Sequence, residues 1–376
     1  MIRMDGRAAR TGQGFDRQGR DQVHRQEQDM DWQTSFPALA RENILVTGGG
    51  GFIGAALVRA LLRIGAKVTV LGRHAYPELA ALGASCLQAD IRDAAALQKA
   101  AGGVGCVFHV AARAGIWGPR AEYMAINLQG SKNVLAACRR EGVPVLVHTS
   151  TPSVVFDRKD LAGADEEQAY ATQPLCAYAA SKIPAEQAVL AANGASLKTA
   201  AIRPHLVWGP GDRNLIPRLA ARARAGKLAV VGRGSNMVDI TYIDNAVYAH
   251  LLAGQNLLTS ATAAGQAFFI GQEKPVNLWQ WINALLLRLR IPQVTRRVPL
   301  PLAYGVGAVL ELAYTLAKSP QEPGMTRFLA LQLARSHWFS HARAERLLGY
   351  RPLVDTATGV ERLLAWMSGE GLVPPR

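Results

Sequence analysis

The chain has 376 residues, 49% hydrophobic, 19% charged and 7% aromatic, a globular composition that supplies one large or two modest domains and excludes disordered or collagen-like polymers. Cys86, Cys106, Cys138 and Cys176 form no CxxC pair, which excludes a zinc ribbon and a redox dithiol, offers no metal site, and reads as reduced thiols of a cytoplasmic protein. The formal charge of +14 gathers late, with 19 basic against 9 acidic residues over 213–376; such a field draws any polyanion, but without a helix-turn-helix, RNP or zinc-finger pattern no nucleic-acid partner is expected.

Residues 1–42 mix seven arginines and seven acids with Gly and Gln. They read as a disordered tail or a misassigned start, with Met30 an alternative initiator, and lack the apolar run of a signal peptide. From Ile44 onward, β-branched runs at 43–47, 67–71, 85–89, 105–110, 143–149 and 198–203 alternate with helical periods at 52–64, 93–101, 122–141 and 176–193. That alternation predicts an α/β fold, a doubly wound parallel (Rossmann) sheet with helices on both faces. After Arg203-Pro204 the rhythm breaks at Gly209-Pro210-Gly211-Asp212. The expected division is a nucleotide-binding unit of 43–208 and 238–272 and a smaller, mostly helical substrate unit of 209–237 and 273–376. Segment 299–317, whose only charge is Glu311, is nearly long enough to span a bilayer. Two prolines, two glycines and the carboxylate favour a buried or substrate-covering helix, with contact to a membrane surface or a pathway enzyme as the alternative.

Between the first strand and helix, Thr47-Gly48-Gly49-Gly50-Gly51-Phe52-Ile53-Gly54 fits both TGxxGxxG and GxGxxG. Glycine there permits a tight turn, backbone approach to a pyrophosphate and close helix–strand packing, and the helix N-terminus offers free N–H groups to the phosphates. Gly48, Gly51, Phe52, Ile53 and Gly54 are therefore candidate dinucleotide ligands. The second strand ends in Gly72-Arg73, with no carboxylate to take ribose hydroxyls. A guanidinium that can pair with a 2′-phosphate favours NADP (NADPH) over NAD. Asp90 and Ile91 are placed to contact the adenine, with Asp93 a helix cap.

Tyr178-Ala179-Ala180-Ser181-Lys182 puts a phenol and an ammonium on one helix face. A free phenol titrates near 10, so a neighbouring cation is needed to ease its ionisation; Lys182 is the candidate, and would also bind the nicotinamide ribose. Pro184 removes a helix hydrogen bond just beyond and threatens to turn Lys182 away. Ahead of this helix, Thr149-Ser150-Thr151 presents hydroxyls at a strand end.

In this order the glycine loop, Asp90-Ile91-Arg92-Asp93, His109-Val110-Ala111-Ala112, Thr149-Ser150-Thr151 and YAASK resemble the extended short-chain dehydrogenase/reductases, over about residues 43–365. The resemblance implies Thr151 as the hydroxyl polarising a carbonyl, Tyr178 as proton donor and Lys182 as the residue lowering its pKa. It places Asn127 at the family's helix asparagine, and Ala111 and Pro204 beside the cofactor. Thr151 departs from the commoner serine and stiffens the side chain.

Residues 111–118, 151–156, 203–212 and 322–328 resemble the 3β-hydroxysteroid dehydrogenase-like branch. With 76–79 and 336–339 they resemble its bacterial reductases of long-chain olefin biosynthesis, which convert a 2-alkyl-3-oxoalkanoic acid to the 3-hydroxy acid with NADPH. A lipid β-keto acid needs cations beside an apolar trough. Arg113, Arg213 and Arg218 are candidate carboxylate partners or surface charges; Ser153 lies beside Thr151. Trp117, Phe156, Trp208, Met325 and Phe328 line the trough or belong to the core. A homodimer is expected. Open alternatives are a sterol-type 3β-hydroxy dehydrogenase, a sugar-nucleotide epimerase or dehydratase, and a non-catalytic NADP sensor.

Overall fold

The computed structural model describes residues 32–371. Two short helices, α1 (Trp32–Ser35) and α2 (Pro37–Ala40), precede the first strand, β1 (Asn43–Thr47). Residues 32–42, counted with the tail from their charges, are therefore built into the protein. Residues 1–31 lie outside the described residues, but Phe36 and Leu39 are buried in the main core, and the Ala38 and Leu39 N–H groups donate to Gln255 Oε1 at 3.1 and 3.2 Å.

β1 leads into α3 (Phe52–Arg63), β2 (Lys67–Gly72), α4 (Pro77–Ala81), β3 (Ser85–Gln88), α5 (Ala94–Ala101) and β4 (Cys106–His109). The helix expected over 122–141 is three pieces: α6 (Arg120–Tyr123), a π-helical turn (Met124–Gln129) and α7 (Gly130–Glu141). A π-turn shifts side-chain phase by one residue and commonly marks a functional position; this one holds Asn127. β5 (Val145–Thr149), β6 (Leu161–Ala164), α8 (Ala177–Ala191) and β7 (Lys198–Pro204) follow. The second half runs β8 (Val207–Trp208), α9 (Leu215–Arg224), β9 (Val230–Val231), β10 (Met237–Val238), β11 (Thr241–Tyr242), α10 (Ile243–Leu258) and β12 (Gln266–Ile270). It closes with β13 (Val276–Asn277), α11 (Leu278–Arg288), β14 (Arg297–Val298), α12 (Leu300–Leu316), α13 (Arg327–Ala334), β15 (His337–Phe339), α14 (Ala342–Leu348) and α15 (Thr356–Gly369).

Seven strands form one sheet in the order β12-β7-β5-β4-β1-β2-β3, every neighbouring pair parallel. All residues of β4 and β5 are buried, as helices covering both faces require. Strand order reverses between β1 and β4, which opens a crevice at their carboxyl ends; in open parallel sheets that crevice is where ligands bind. Thr47, at the end of β1, sits in register with Leu71 on one side and His109 on the other.

The smaller unit is mostly helical, and a small four-stranded sheet, β13-β10-β15-β6, runs through it. Its β6 comes from inside the stretch assigned to the nucleotide-binding unit and pairs with β15 at Leu161↔His337. Segment 299–317 forms α12, but only Ala303 and Gly307 of that helix are buried. The expectation of a buried helix is thus corrected: one face packs on the protein and the other faces solvent.

Candidate active site

The glycine turn after β1 is shaped by contacts that exclude side chains. Gly48 has φ +73°, and a Cβ on it would lie 2.6 Å from the Ala111 Cα. A Cβ on Gly54 would lie 2.2 Å from the Gly48 carbonyl oxygen. Gly51 caps α3 with no side-chain hydrogen bond, so the first-turn N–H groups at Phe52 and Ile53 have no side-chain cap and the dipole end faces the crevice. This cradle fits a dinucleotide diphosphate. Thr47 Oγ1 holds it in place, bonding His109 Nδ1 at 2.8 Å while the Ala111 N–H reaches it at 3.4 Å. His109, held near 3 by burial, stays neutral.

At the adenosine end Arg73 is exposed beyond β2. Asp90 accepts from Arg92 Nε at 3.0 Å and Nη2 at 2.8 Å, and Arg92, then Arg73, hold its carboxyl below the usual range. Ile91 is buried against Gly130, and Asp93 caps α5 through the Ala96 N–H. Pro204 is buried at the end of β7 beside Ile270.

α8 carries Tyr178 and Lys182 and runs unbroken through Pro184. Lys182 is 1% exposed. Its Nζ donates to the Thr149 carbonyl at 2.7 Å and to His148 Nε2 at 2.9 Å, and burial brings it down to about 7, opposed by Glu186. Tyr178 is pushed up to about 12 by its apolar surroundings, opposed by the nearby Thr151 hydroxyl. Lys182 stands one helical turn along α8 from Tyr178, with its amine bonded to β5. Thr151 is mostly buried; its Oγ1 donates to Ser153 Oγ and accepts from the Ser153 N–H, both at 3.2 Å.

Buried Asn127 ties this region together. Its Nδ2 donates to Ser181 Oγ at 2.9 Å and the Arg113 carbonyl at 3.2 Å, and its Oδ1 accepts from the Arg113 N–H at 2.7 Å. Behind α8, Arg203 donates to Glu186 at 2.5 and 3.0 Å, both side chains almost fully buried. Tyr170 donates to the same carboxylate at 2.8 Å. This pair pins α8 to β7.

The wall around Tyr178 is apolar: Phe156, Phe328, Leu331, Ile116, Leu300 and Tyr304 belong to its cluster. Phe156 and Phe328 meet edge to face at 6.0 Å, and Ser153 sits beside Thr151 on the wall's polar rim. Trp117 packs edge-on to Tyr314 at 6.3 Å. Met325 packs partly buried on the main core. Trp208 is fully buried between Tyr242 and Trp281, at 5.2 and 5.6 Å, so its place in a substrate trough is corrected to core. Arg113 is ion-paired to Glu122 and stacked on Tyr123; Arg218 pairs with Glu322 at 2.9 Å. Neither guanidinium is the open carboxylate partner expected, because each has a nearer anion. Arg213 is exposed. Sequence reasoning missed His148, whose signal was a polar residue inside a wholly buried strand. It also missed Leu300 and Tyr304, which only tertiary packing brings to Tyr178.

The model of the 3-beta hydroxysteroid dehydrogenase/isomerase family matches residues 45–302. Two relatives bear the name 2-alkyl-3-oxoalkanoate reductase. The one from Shewanella oneidensis is 46% identical over 343 residues, 89% of each chain; the one from Stenotrophomonas maltophilia is 47% identical over 325 residues, 86% of this chain and 98% of that protein. The sterol-4-alpha-carboxylate 3-dehydrogenase, decarboxylating, of Mus musculus is 35% identical over 327 residues, 84% of this chain and 88% of that protein. Among solved structures, the dTDP-glucose 4,6-dehydratase DesIV of Streptomyces venezuelae with NAD bound superposes with a TM-score of 0.68 at 25% identity, covering 88% of this chain and 98% of that one. The chain is an oxidoreductase of the extended short-chain dehydrogenase/reductase fold and belongs to the 3-beta hydroxysteroid dehydrogenase/isomerase family.

Proposed function

We propose that the protein reduces a 2-alkyl-3-oxoalkanoic acid to the 2-alkyl-3-hydroxyalkanoic acid with NADPH, in long-chain olefin biosynthesis. The observation that carries this reading is Tyr178, one helical turn from buried Lys182 and set in an apolar cluster with Phe156, Phe328, Leu300 and Tyr304: a proton donor at the edge of a lipid-compatible surface. The two reductase relatives, more similar to this chain than the sterol enzyme, favour the same substrate class.

A bound dihydronicotinamide supplies the hydride. Tyr178 supplies the proton: a phenol near 12 keeps its proton at rest, yet is far more acidic than a secondary alcohol, so it protonates the alkoxide that forms when a ketone takes up hydride. Thr151 stabilises the negative oxygen by hydrogen bonding. Lys182, near 7, is a buried proton source one helical turn from the tyrosine. Gly48, Gly51, Phe52, Ile53 and Gly54 would hold the diphosphate, with Ala111 against the turn. Arg73, with Asp90 already neutralised by Arg92, leaves positive potential where NADP carries its 2′-phosphate. Asp90 and Ile91 would hold the adenine, and Pro204, Tyr178 and Lys182 the nicotinamide side.

The test is an assay of NADPH oxidation with a synthetic 2-alkyl-3-oxo acid, run against NADH, a 3β-hydroxysterol with NADP, and a nucleotide sugar. Turnover of the oxo acid, with NADPH preferred, is expected. Turnover of the sterol or sugar alone overturns the substrate, and cofactor binding without any turnover overturns the catalytic reading.

A further inference from the structure

His205 follows Pro204 at the end of β7, in the nucleotide-binding unit, and His337 opens β15, in the small sheet. They stand 132 residues apart in the chain, yet His205 Nε2 and His337 Nδ1 are 2.7 Å apart, and both residues are buried. The direction of this hydrogen bond follows from one fixed acceptor. His337 Nε2 lies 2.9 Å from the Gln332 carbonyl, which can only accept, so that nitrogen carries a hydrogen. Burial pushes both rings below their ordinary range and leaves each neutral, with a single N–H. His337 Nδ1 is therefore bare, and His205 Nε2 donates to it. The result is a directed chain from the end of β7, through His337, to the Gln332 carbonyl in α13.

Both ends of this chain border the site. Pro204, beside His205, stands on the side where the nicotinamide would lie, and α13 supplies Phe328 and Leu331, the latter next to Gln332, to the cluster around Tyr178. The rings themselves lie under the same wall. His337 meets Phe156 edge to face at 6.0 Å, and His205 meets Phe339 in the same way at 6.0 Å; Phe156 and Phe339 both belong to the cluster. The turn that carries His205 is held firmly. Thr241 Oγ1 accepts its N–H at 3.2 Å and donates to its carbonyl at 2.9 Å, while Leu206 keeps φ +43°, an uncommon conformation for a bulky side chain. Two imidazoles inside an aromatic layer cost desolvation that their hydrogen bonds offset. What they add is geometry: apolar contact is non-directional, whereas a buried hydrogen bond tolerates a narrow range of distance and angle.

We propose that His205 and His337 are positioning residues for the oxo acid: their hydrogen bond sets the separation between the nicotinamide edge and the wall carried by α13, and so the grip of the site on the alkyl chains of the substrate. This rests on the reductase reading of the site.

The test is steady-state reduction of a synthetic 2-alkyl-3-oxo acid by the full chain, with NADPH titration by fluorescence, melting curves and nitrogen NMR of the histidine rings. His205→Phe and His337→Phe keep a ring and lose the link. Each should raise KM for the oxo acid about tenfold, the cost of a buried partner left unmet, with kcat and NADPH affinity little changed. The double variant should be no worse than the poorer single one, because both cut the same bond. His205→Gln, which retains an N–H donor, should recover most of the wild-type KM. In substrate-free wild type, the NMR spectrum should show the hydrogen on Nε2 of both rings. That spectrum and His205→Gln decide the matter even where a Phe variant does not fold. A merely structural role predicts a lower melting temperature with KM unchanged. Wild-type KM in both Phe variants, a double variant whose KM effect is the product of the two singles, or a hydrogen on His337 Nδ1 overturns the proposal and leaves the reductase reading standing; a wild type that turns over no oxo acid removes both.

Discussion

Lys182 donates a 2.9 Å hydrogen bond to His148 on β5, and both side chains are buried. Burial forces His148 well below its ordinary range, with Lys182 also lowering it, so the neutral imidazole is the acceptor for the amine. His148 therefore favours the charged form of Lys182. In His148→Phe that support is gone, and the group near 7 falls further. The alkaline fall-off in kcat should move to lower pH, with a loss of about tenfold per pKa unit at fixed pH. His148→Gln, which retains an acceptor, should sit closer to wild type. A pH–rate profile that is identical in all three proteins removes His148 from the mechanism.

Tyr178→Phe deletes the proton donor but leaves the wall of the site. Reduction should fall by about 10²–10⁴-fold or more, while NADPH affinity, followed by fluorescence titration, changes little. Thr151→Ser keeps the hydroxyl and should retain most activity; Thr151→Val should lose about 10²–10³-fold, the cost of removing one donor to a developing oxyanion. Equal activity in Thr151→Val and wild type contradicts the role given to that hydroxyl.

Arg73→Ala removes an exposed guanidinium beyond β2. It should raise KM for NADPH by about tenfold, a loss typical of one charge-assisted contact, with KM for NADH nearly unchanged. Steady-state kinetics with both cofactors decide this; parallel changes for the two would place the 2′-phosphate elsewhere.

His109, His148, His205, His250 and His337 are all buried and all pushed below 6.5 by desolvation. Below pH 6.5 the unfolded chain binds protons that the folded chain refuses, so stability falls as pH drops through the histidine range toward the depressed native values. Glu186, held below its usual value chiefly by Arg203 against its own desolvation, adds a loss only at lower pH, as its native carboxylate protonates. Urea midpoints measured at pH 8, 6.5 and 5.5 should drop steeply over the last interval. A flat profile there means these histidines are not neutral in the native state.

Arg203→Met leaves Glu186 buried without its cation and should cost about 3–5 kcal/mol, whereas the joint change with Glu186→Leu should recover much of it. At the N-terminal side, Leu39→Ala should cost about 2–5 kcal/mol, because the residue is fully buried. Chemical denaturation measures each. A cost near zero for Leu39→Ala would return 32–42 to the tail expected from its charges.

The sequence by itself determined what depends on local pattern. Strands at 43–47, 67–71 and 198–203 and the glycine turn could be read because burial on both sheet faces, which leaves continuous apolar runs, and steric need act on neighbours in the chain, and YxxxK because a helix puts its fourth residue back on the same face. Only the tertiary structure decided which partners those residues meet. That Lys182 bonds His148 and Thr149, that Trp208 is core, that Arg113 is already paired with Glu122, and that β6 joins β15 across more than 170 residues are consequences of packing between distant segments, and no window of sequence carries them. The phenol's surroundings belong to the same class: spacing shows that a cation is near, but how much water has been removed, which raises Tyr178 to about 12, is a property of the whole wall around it.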